Sequence, residues 1–305
     1  MALPHQLLTT RQLAQALGVS ESSVKRWIDG GEIEAHLTSG GHRRIEVEAA
    51  IRFIRRQRMQ PVAPHLLALQ TTPILGESDP KTADLLYDAL YVDDASQARA
   101  IISGRILSGA DIATVGDMLI RPVMHRLGEL WKNNAEGILL EHRAVETCIH
   151  VLAEVATWLP IPSADSPVAI SAAGPGDVYL LPPMLAFLVL RECGMRALNL
   201  GPMTPYSTTT MAIQRYGARL CCLSQSIALD TGSATEFHGL LDTAHDAGCQ
   251  VIVGGRRAET IPARVREQVY VAGSMVELSA FARGLATGAA AKSRESSRRG
   301  RGRVS

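Results

Sequence analysis

The chain has 305 residues, 46% of them hydrophobic, with no apolar run of the ~18 residues that a membrane span requires and no signal-peptide pattern. These features predict a cytoplasmic protein without a membrane partner, long enough for several domains. The net charge is +1, but residues 1–60 carry nine basic and six acidic side chains and residues 291–305 carry six and one, which indicates an anionic partner at both ends.

The first 60 residues have the pattern of a winged helix-turn-helix. Thr10 is the expected N-cap of a short first helix, which Gly18 ends. Ser20 is the expected N-cap of the second helix. Short extended pieces around the turn at residues 40–41 predict a wing, and a third helix is expected from about Glu46 to Gln60.

The rest of the chain predicts a multi-domain protein. Residues 61–80 are rich in Pro, Thr and Gly and are expected to form a linker. Helical periodicity over residues 81–160 predicts a four-helix bundle. Over residues 165–288, short apolar runs alternate with helical segments, which predicts a doubly wound parallel sheet. Residues 289–305 are expected to be a basic disordered tail.

The second helix and the wing carry the residues expected to bind double-stranded DNA. A helix-turn-helix places its second helix in the major groove, where Ser, Lys and Arg bind base edges or phosphates. Cations after the wing turn would hold the phosphate backbone. The predicted DNA-binding residues are Ser22, Ser23, Lys25, Arg26, His42, Arg43 and Arg44. Because one small module buries little DNA surface, a homodimer or homotetramer is expected.

Two stretches resemble known families. The segment TTRQLAQALGVSESSVKRWIDGGEIEAHLTSGGHRRI resembles the MerR-type and excisionase-type winged helix. The stretch RLGELWKNNAEGILLEHRAVE, followed by the doubly wound pattern, resembles the cobalamin-binding module of MerR-family light-sensing repressors of the CarH or LitR type. The resemblance covers roughly residues 1–290 in domain order. It implies a DNA-binding transcriptional repressor rather than an enzyme, with a cobalamin-binding-like Rossmann domain.

The resemblance also implies positions for a cofactor between the bundle and the α/β domain. Trp131 matches the tryptophan that packs near the cofactor's upper face in that family. Glu141 and His142 match a pair that lies beside the adenosyl group. Ser224 and the pair Gly254 and Gly255 match the small or hydroxylic residues of the slot that receives the dimethylbenzimidazole tail.

The stretch DVYLLPP departs from that family at the cobalt ligand. Asp177 is present, but Tyr179 stands where the family has a histidine and Pro182 where it has a glycine. Lys132 replaces a further histidine after the bundle tryptophan. A phenol with a pKa near ~10 is a poor cobalt donor compared with imidazole, so no metal-ligating residue is predicted.

Three interpretations of the α/β domain stay open at the level of sequence. It binds cobalamin without a protein ligand to cobalt, it binds another tetrapyrrole such as a bilin, or it binds no cofactor and responds to a regulatory protein. The first two make the chain a ligand-controlled regulator, with a light response as one form of control. A corrinoid carrier for a methyltransferase is a further alternative, against which the winged helix and the missing histidine both count.

Overall fold

The computed structural model describes residues 7–67, 80–130, 135–229, 231–261 and 263–286, which form two compact units. The first unit comprises the described residues up to Asp111 together with Met118–Leu159. The second comprises Ile112–Asp117 and the described residues from Pro160 onward. Most of the predicted linker and the predicted basic tail lie outside the described residues.

The first unit begins with a winged helix-turn-helix, as the sequence predicts. A small antiparallel sheet with strand order β1-β3-β2 contains the wing, and its first strand was not foreseen. Its elements are β1 (Leu7–Thr9), α1 (Thr10–Leu17), α2 (Glu21–Asp29), β2 (His36–Leu37), β3 (Arg43–Glu46) and α3 (Val47–Gln57).

The caps of the first two helices follow the capping rules, with one shift in register. The prediction of Thr10 as the N-cap of α1 is wrong, because Thr9 is the cap and forms a capping box with Gln12. Thr10 is buried and its hydroxyl donates to Glu21 instead. Ser20 caps α2 as predicted, since its side chain accepts a hydrogen bond from the Ser23 N–H.

A series of helices follows. They are a 3₁₀ turn (Pro64–Leu67), α4 (Pro80–Tyr91), α5 (Ala95–Leu107), α6 (Ile112–Val115), a π-helical turn (Gly116–Ile120), α7 (Arg121–Leu130) and α8 (Ala135–Trp158). Within the first unit, α4 packs against α5, α7 and α8, while α8 also packs against α5 and α7. Apolar side chains such as Leu86, Ile102, Val123 and Leu152 are buried there. Among the described helices of the chain, none is long and apolar enough to span a bilayer.

The second unit contains a parallel sheet with alternating helices, which confirms that prediction. Its five strands have the order β5-β4-β6-β7-β8 and every pairing is parallel. The elements are β4 (Val168–Ala173), α9 (Leu181–Glu192), β5 (Arg196–Gly201), α10 (Tyr206–Tyr216), β6 (Leu220–Ser224), α11 (Thr231–Asp246), β7 (Gln250–Gly254), a 3₁₀ turn (Ala258–Thr260), α12 (Ala263–Arg266), β8 (Tyr270–Val271) and a helix over 275–286, here α13.

The strand order creates a topological switch point beside β4. The chain leaves β4 for β5 on one side and then returns to β6 on the other side. In open α/β sheets the crevice beyond the carboxyl ends of such strands is where ligands bind. A ligand site is therefore expected at the loops after β4 and β6.

Two details of this unit differ from the sequence pattern. One of the helical segments that the sequence pattern predicts covers residues 257–267, and the structure has the short 3₁₀ turn and α12 there instead. The proline at position 262 falls between them in the sequence, and proline disrupts a helix interior because it lacks the N–H. The segment Ile112–Asp117 is held by two carboxylates: Glu192 accepts from the Ile112 N–H, and Asp117 accepts from the N–H groups of Met275 and Val276 at the start of α13.

Candidate functional site

The second helix of the helix-turn-helix is fixed by polar contacts at its first turn. The Glu21 carboxylate accepts from the Thr10 hydroxyl at 2.8 Å and pairs with the Lys25 Nζ at 3.0 Å. These contacts, the Thr10 hydrogen bond first, lower the pKa of Glu21. Because Thr10 belongs to α1, the contact ties the two helices together and sets the orientation of α2.

The predicted DNA-binding side chains of α2 lie on its solvent side. Ser22, Lys25 and Arg26 are exposed, and Ser23 is half-buried. The Ser20 hydroxyl lies within 2.8 Å of the Ser22 hydroxyl and within 2.9 Å of that of Ser23. The helix therefore presents a hydroxyl cluster at its N-terminal end and cations one turn further on.

The wing residues continue this surface. His42 is exposed, while Arg43 and Arg44 are half-buried. The Arg43 Nη2 lies 2.5 Å from the Asp29 Oδ1 at the end of α2. This ion pair joins β3 of the wing to α2, so the two predicted DNA-binding segments are in direct contact.

The residues that the resemblance assigns to the upper side of a cofactor are placed only in part. Glu141 is half-buried and His142 is exposed, both on α8. Trp131 lies outside the described residues, so its relation to this pair stays a prediction.

Asp177 is the central residue of the loops at the switch point. Its side chain is fully buried, and its carboxylate accepts from the Tyr179 N–H at 3.2 Å and the Ser226 N–H at 2.7 Å. Its carbonyl accepts from the Met203 N–H at 2.8 Å. One residue thus connects the loops that follow β4, β5 and β6. The carboxylate is engaged with backbone donors and orients no metal-binding side chain in the described residues.

Ser224 ends β6 beside two other small residues. It pairs in register with Ala173 of β4 and with Gly254 of β7. Strand alternation puts all three on the sheet face opposite the core cluster that contains Ala172, Leu223 and Val253. The Ser224 hydroxyl is buried and has no hydrogen-bond partner among the described residues. A buried hydroxyl without a partner is costly, so it is a position where a ligand atom would be stabilising.

Gly254 and Gly255 are packed against the chain itself. A Cβ on Gly255 would lie 2.6 Å from the Gln225 carbonyl oxygen, and the φ angle of Gly255 is +103°. A Cβ on Gly254 would lie 3.3 Å from the Ala272 carbonyl oxygen. Close approach of backbones therefore accounts for both glycines, and their role in a ligand slot stays a prediction.

Tyr179 takes part in a contact that the sequence did not indicate. The Arg256 guanidinium lies over the Tyr179 ring, 5.2 Å from its centroid. Apolar side chains of the same edge are exposed: Val178 at 60%, Leu180 at 46% and Met203 at 58%. Met203 also has a φ of +51°, which is uncommon for a residue with a side chain. Apolar exposure and backbone strain together are typical of a binding surface.

Gln225 is a second residue that sequence reasoning missed. It is buried, and its amide accepts from the Tyr206 hydroxyl at 3.2 Å and donates to the Ile227 carbonyl at 2.5 Å. Its backbone bonds Gly254 and Arg257 of the next loop. The only signal in the sequence is a polar residue directly after an apolar strand, which is too common to be informative.

Comparison with known protein families supports the identification of a helix-turn-helix in the N-terminal domain. Residues 7–58 match the family described as a helix-turn-helix domain. No curated protein sequence matches the chain.

Three of the solved structures to which the chain is similar are described as corrinoid or cobalamin proteins. A Methanosarcina barkeri monomethylamine corrinoid protein has a TM-score of 0.49 at 16% identity, covering 67% of this chain and 98% of its own. A cobalamin-binding protein from Desulfitobacterium hafniense DCB-2 has a TM-score of 0.33 at 15% identity, covering 64% and 94%. The methanol:cobalamin methyltransferase complex MtaBC from Methanosarcina barkeri has a TM-score of 0.34 at 15% identity, covering 88% and 93%.

Proposed function

We propose that this protein is a DNA-binding transcriptional repressor whose α/β domain binds cobalamin or another tetrapyrrole such as a bilin. The DNA-binding part rests on the winged helix-turn-helix, whose α2 and wing carry exposed cations and hydroxyls on one surface. The ligand-binding part rests on the carboxyl edge of the sheet, where the buried Ser224 hydroxyl has no partner among the described residues. Apolar side chains are exposed at the same edge.

DNA recognition divides between the two segments. Helix α2 enters the major groove, where Ser22, Ser23, Lys25 and Arg26 reach base edges or phosphates. The wing cations, His42, Arg43 and Arg44, hold the flanking phosphate backbone. Two or four such modules in a homodimer or homotetramer would bind paired half-sites.

Replacing Arg43 tests the wing. Arg43→Ala is expected to weaken binding to operator and random duplexes alike, because a phosphate contact carries no sequence information. The slope of log K against log salt is expected to become shallower by about one. Fluorescence anisotropy of labelled duplexes at several salt concentrations measures both quantities.

Two further variants control this experiment. Arg215→Ala removes the same charge from α10 of the α/β unit and is expected to leave the slope unchanged. Asp29→Asn removes the carboxylate that pairs with Arg43 and is expected to tighten nonspecific binding. If Arg43→Ala changes neither affinity nor slope, Arg43 serves only to hold the wing to α2.

The sheet edge combines a buried hydroxyl with exposed apolar side chains, which suit a largely apolar ligand, whereas its Tyr179 is a poor donor for cobalt. The Ser224 hydroxyl would bind a polar atom of the ligand, and Val178, Leu180 and Met203 would pack against its apolar face. The loop over residues 174–180 contains no histidine or cysteine, and its Tyr179 ring is covered by Arg256. A tetrapyrrole absorbs visible light, which is the property that a light response would use.

Absorption spectra test the ligand-binding part directly. The full chain is purified from cells supplied with cobalamin and, separately, with a bilin source, and visible bands that survive desalting identify the ligand. Ser224→Ala is expected to weaken ligand retention about tenfold. The same variant is expected to stabilise the unliganded protein by about 1 kcal/mol, because it removes a buried hydroxyl that lacks a partner.

Ser171→Ala is the matched control. Ser171 of β4 lies on the same face of the sheet as Ser224, but its hydroxyl donates to the Asn199 Oδ1 at 3.4 Å. Replacing it with alanine is therefore expected to lower stability and to leave ligand retention unchanged. Colourless protein from both preparations would overturn the ligand-binding part. It would favour a cofactor-free regulator controlled by a protein partner. The Ile227 side chain agrees with that alternative, because it lies close to Gly176 and takes up space at the switch point.

Control of DNA binding is proposed to act through self-association. Joining DNA-binding modules raises avidity by about 10²–10⁴-fold without any new contact to DNA. A ligand that changes how many modules act together would therefore switch operator occupancy.

A further inference from the structure

The loop that follows β7 anchors the backbone around Arg256 at the carboxyl edge of the sheet, and the Arg256 side chain is exposed. Gly255, with its φ of +103°, brings the loop against the backbone of Gln225. The Arg257 N–H donates to the Gln225 carbonyl at 2.9 Å, and the Ala258 N–H donates to the Gly255 carbonyl at 3.2 Å. The backbone on both sides of Arg256 is therefore anchored.

The side chain of Arg256 is oriented by an aromatic ring rather than by an acid. Its guanidinium lies 5.2 Å from the centroid of Tyr179, whose own N–H is bonded to the buried Asp177 carboxylate. Within the part of the chain that the structure describes, no carboxylate pairs with Arg256. Other arginines have one: Arg43 pairs with Asp29, Arg99 with Glu154 and Arg126 with Asp84.

An aromatic ring attracts the positive charge of a guanidinium without accepting its N–H groups as a carboxylate would. The five N–H donors of the guanidinium, arranged as a planar fork, therefore stay available to another acceptor. That arrangement matches the two oxygens of a carboxylate or a phosphate. The same edge carries the exposed apolar side chains and the buried Ser224 hydroxyl described above.

We infer that Arg256, positioned by Tyr179, binds an oxyanion carried by the ligand of the α/β domain. This inference rests on the proposed ligand-binding function and narrows it to acidic tetrapyrroles. The oxyanion is either a propionate carboxylate, as on a bilin, or a phosphate, as on the side chain of a corrinoid.

Matched pairs of probes separate these sources. Biliverdin is compared with its dimethyl ester, and cobinamide phosphate with cobinamide, by absorption titration of the full unliganded chain. One acidic probe is expected to bind about tenfold more tightly than its neutral counterpart, as for a charge-assisted hydrogen bond to an exposed arginine. The pair that shows the difference identifies the anion.

Variants then assign the preference to this arginine. Arg256→Gln is expected to abolish the difference in affinity between the acidic and neutral probes. Arg219→Gln is the control, because Arg219 directly precedes β6 at the amino ends of the strands, and it is expected to preserve that difference. Tyr179→Phe keeps the ring and is expected to keep the preference, and Tyr179→Leu is expected to reduce it. If Tyr179 only supported the fold, the Tyr179→Phe and Tyr179→Leu variants would show the same anion preference.

The outcomes distinguish this inference from the proposed function. Equal binding of acidic and neutral probes by the wild type, or an unchanged preference in Arg256→Gln, overturns the role of Arg256 and leaves the tetrapyrrole site standing. Failure of all four probes to bind overturns the proposed ligand site and the inference with it.

Discussion

Gly255→Ala is expected to destabilise the α/β domain by about 3–5 kcal/mol, near the upper end for a single substitution. The added Cβ would lie 2.6 Å from the Gln225 carbonyl oxygen and 2.9 Å from two further backbone atoms of that residue. Those atoms belong to the backbone, so no side-chain rotation relieves the overlap. The φ of +103° adds strain for any residue with a side chain. Urea denaturation followed by circular dichroism measures the loss.

Gly194→Ala separates the two causes. Gly194 also has a positive φ, +85°, but a Cβ there would meet no atom within 4 Å. It is expected to cost only about 1 kcal/mol, which reflects the backbone conformation alone. If both substitutions cost the same, the close approach of the β6 and β7 loops contributes nothing to stability. The position of Arg256 would then need another explanation.

Most elements of both units could be predicted because they leave a local signal in the sequence. Strands buried on both faces of a parallel sheet read as continuous apolar runs, as in β4, β6 and β7. The helix-turn-helix is marked by Ser20 as a cap and Gly18 as a stop. The boundary of α1 was predicted one residue late because the adjacent residues Thr9 and Thr10 are both suitable caps.

Contacts between distant parts of the chain left no such signal. Asp117 caps α13 through Met275 and Val276, and Glu192 bonds the Ile112 N–H. An acidic residue inside a helical region is compatible with many surface positions, so the sequence cannot assign such a partner. The sequence therefore did not predict that the short segment Ile112–Asp117 belongs to the second unit.

The candidate site also combines residues that the sequence identifies with contacts that it does not predict. Asp177 and Ser224 were identified by resemblance to a family, and the structure places both at the switch point. Their local roles were not predictable: Asp177 bonds backbone N–H groups of two loops, and Ser224 keeps an unpartnered hydroxyl among the described residues. Arg256 was missed because its partner, Tyr179, lies far away along the chain.

Asp177→Ala is expected to cost about 3 kcal/mol of stability in the α/β domain, because it leaves the Tyr179 and Ser226 N–H groups without their acceptor. It also disconnects the loops after β4 and β6, so ligand retention is expected to fall together with stability. Urea denaturation measures the first effect, and absorption after desalting measures the second.

Asp177→Asn sharpens the interpretation. Asparagine keeps the shape and one acceptor oxygen, but its NH₂ group faces the other backbone donor. The stability of the Asp177→Asn variant is expected to lie between that of the wild type and that of the alanine variant. Asp165→Ala, in an exposed turn of the same unit, is the control for loss of an acidic charge and is expected to have little effect. Wild-type stability in Asp177→Ala would mean that the two N–H groups find other acceptors. The switch-point loops would then be held by Gln225 and its contacts with Tyr206 and Ile227.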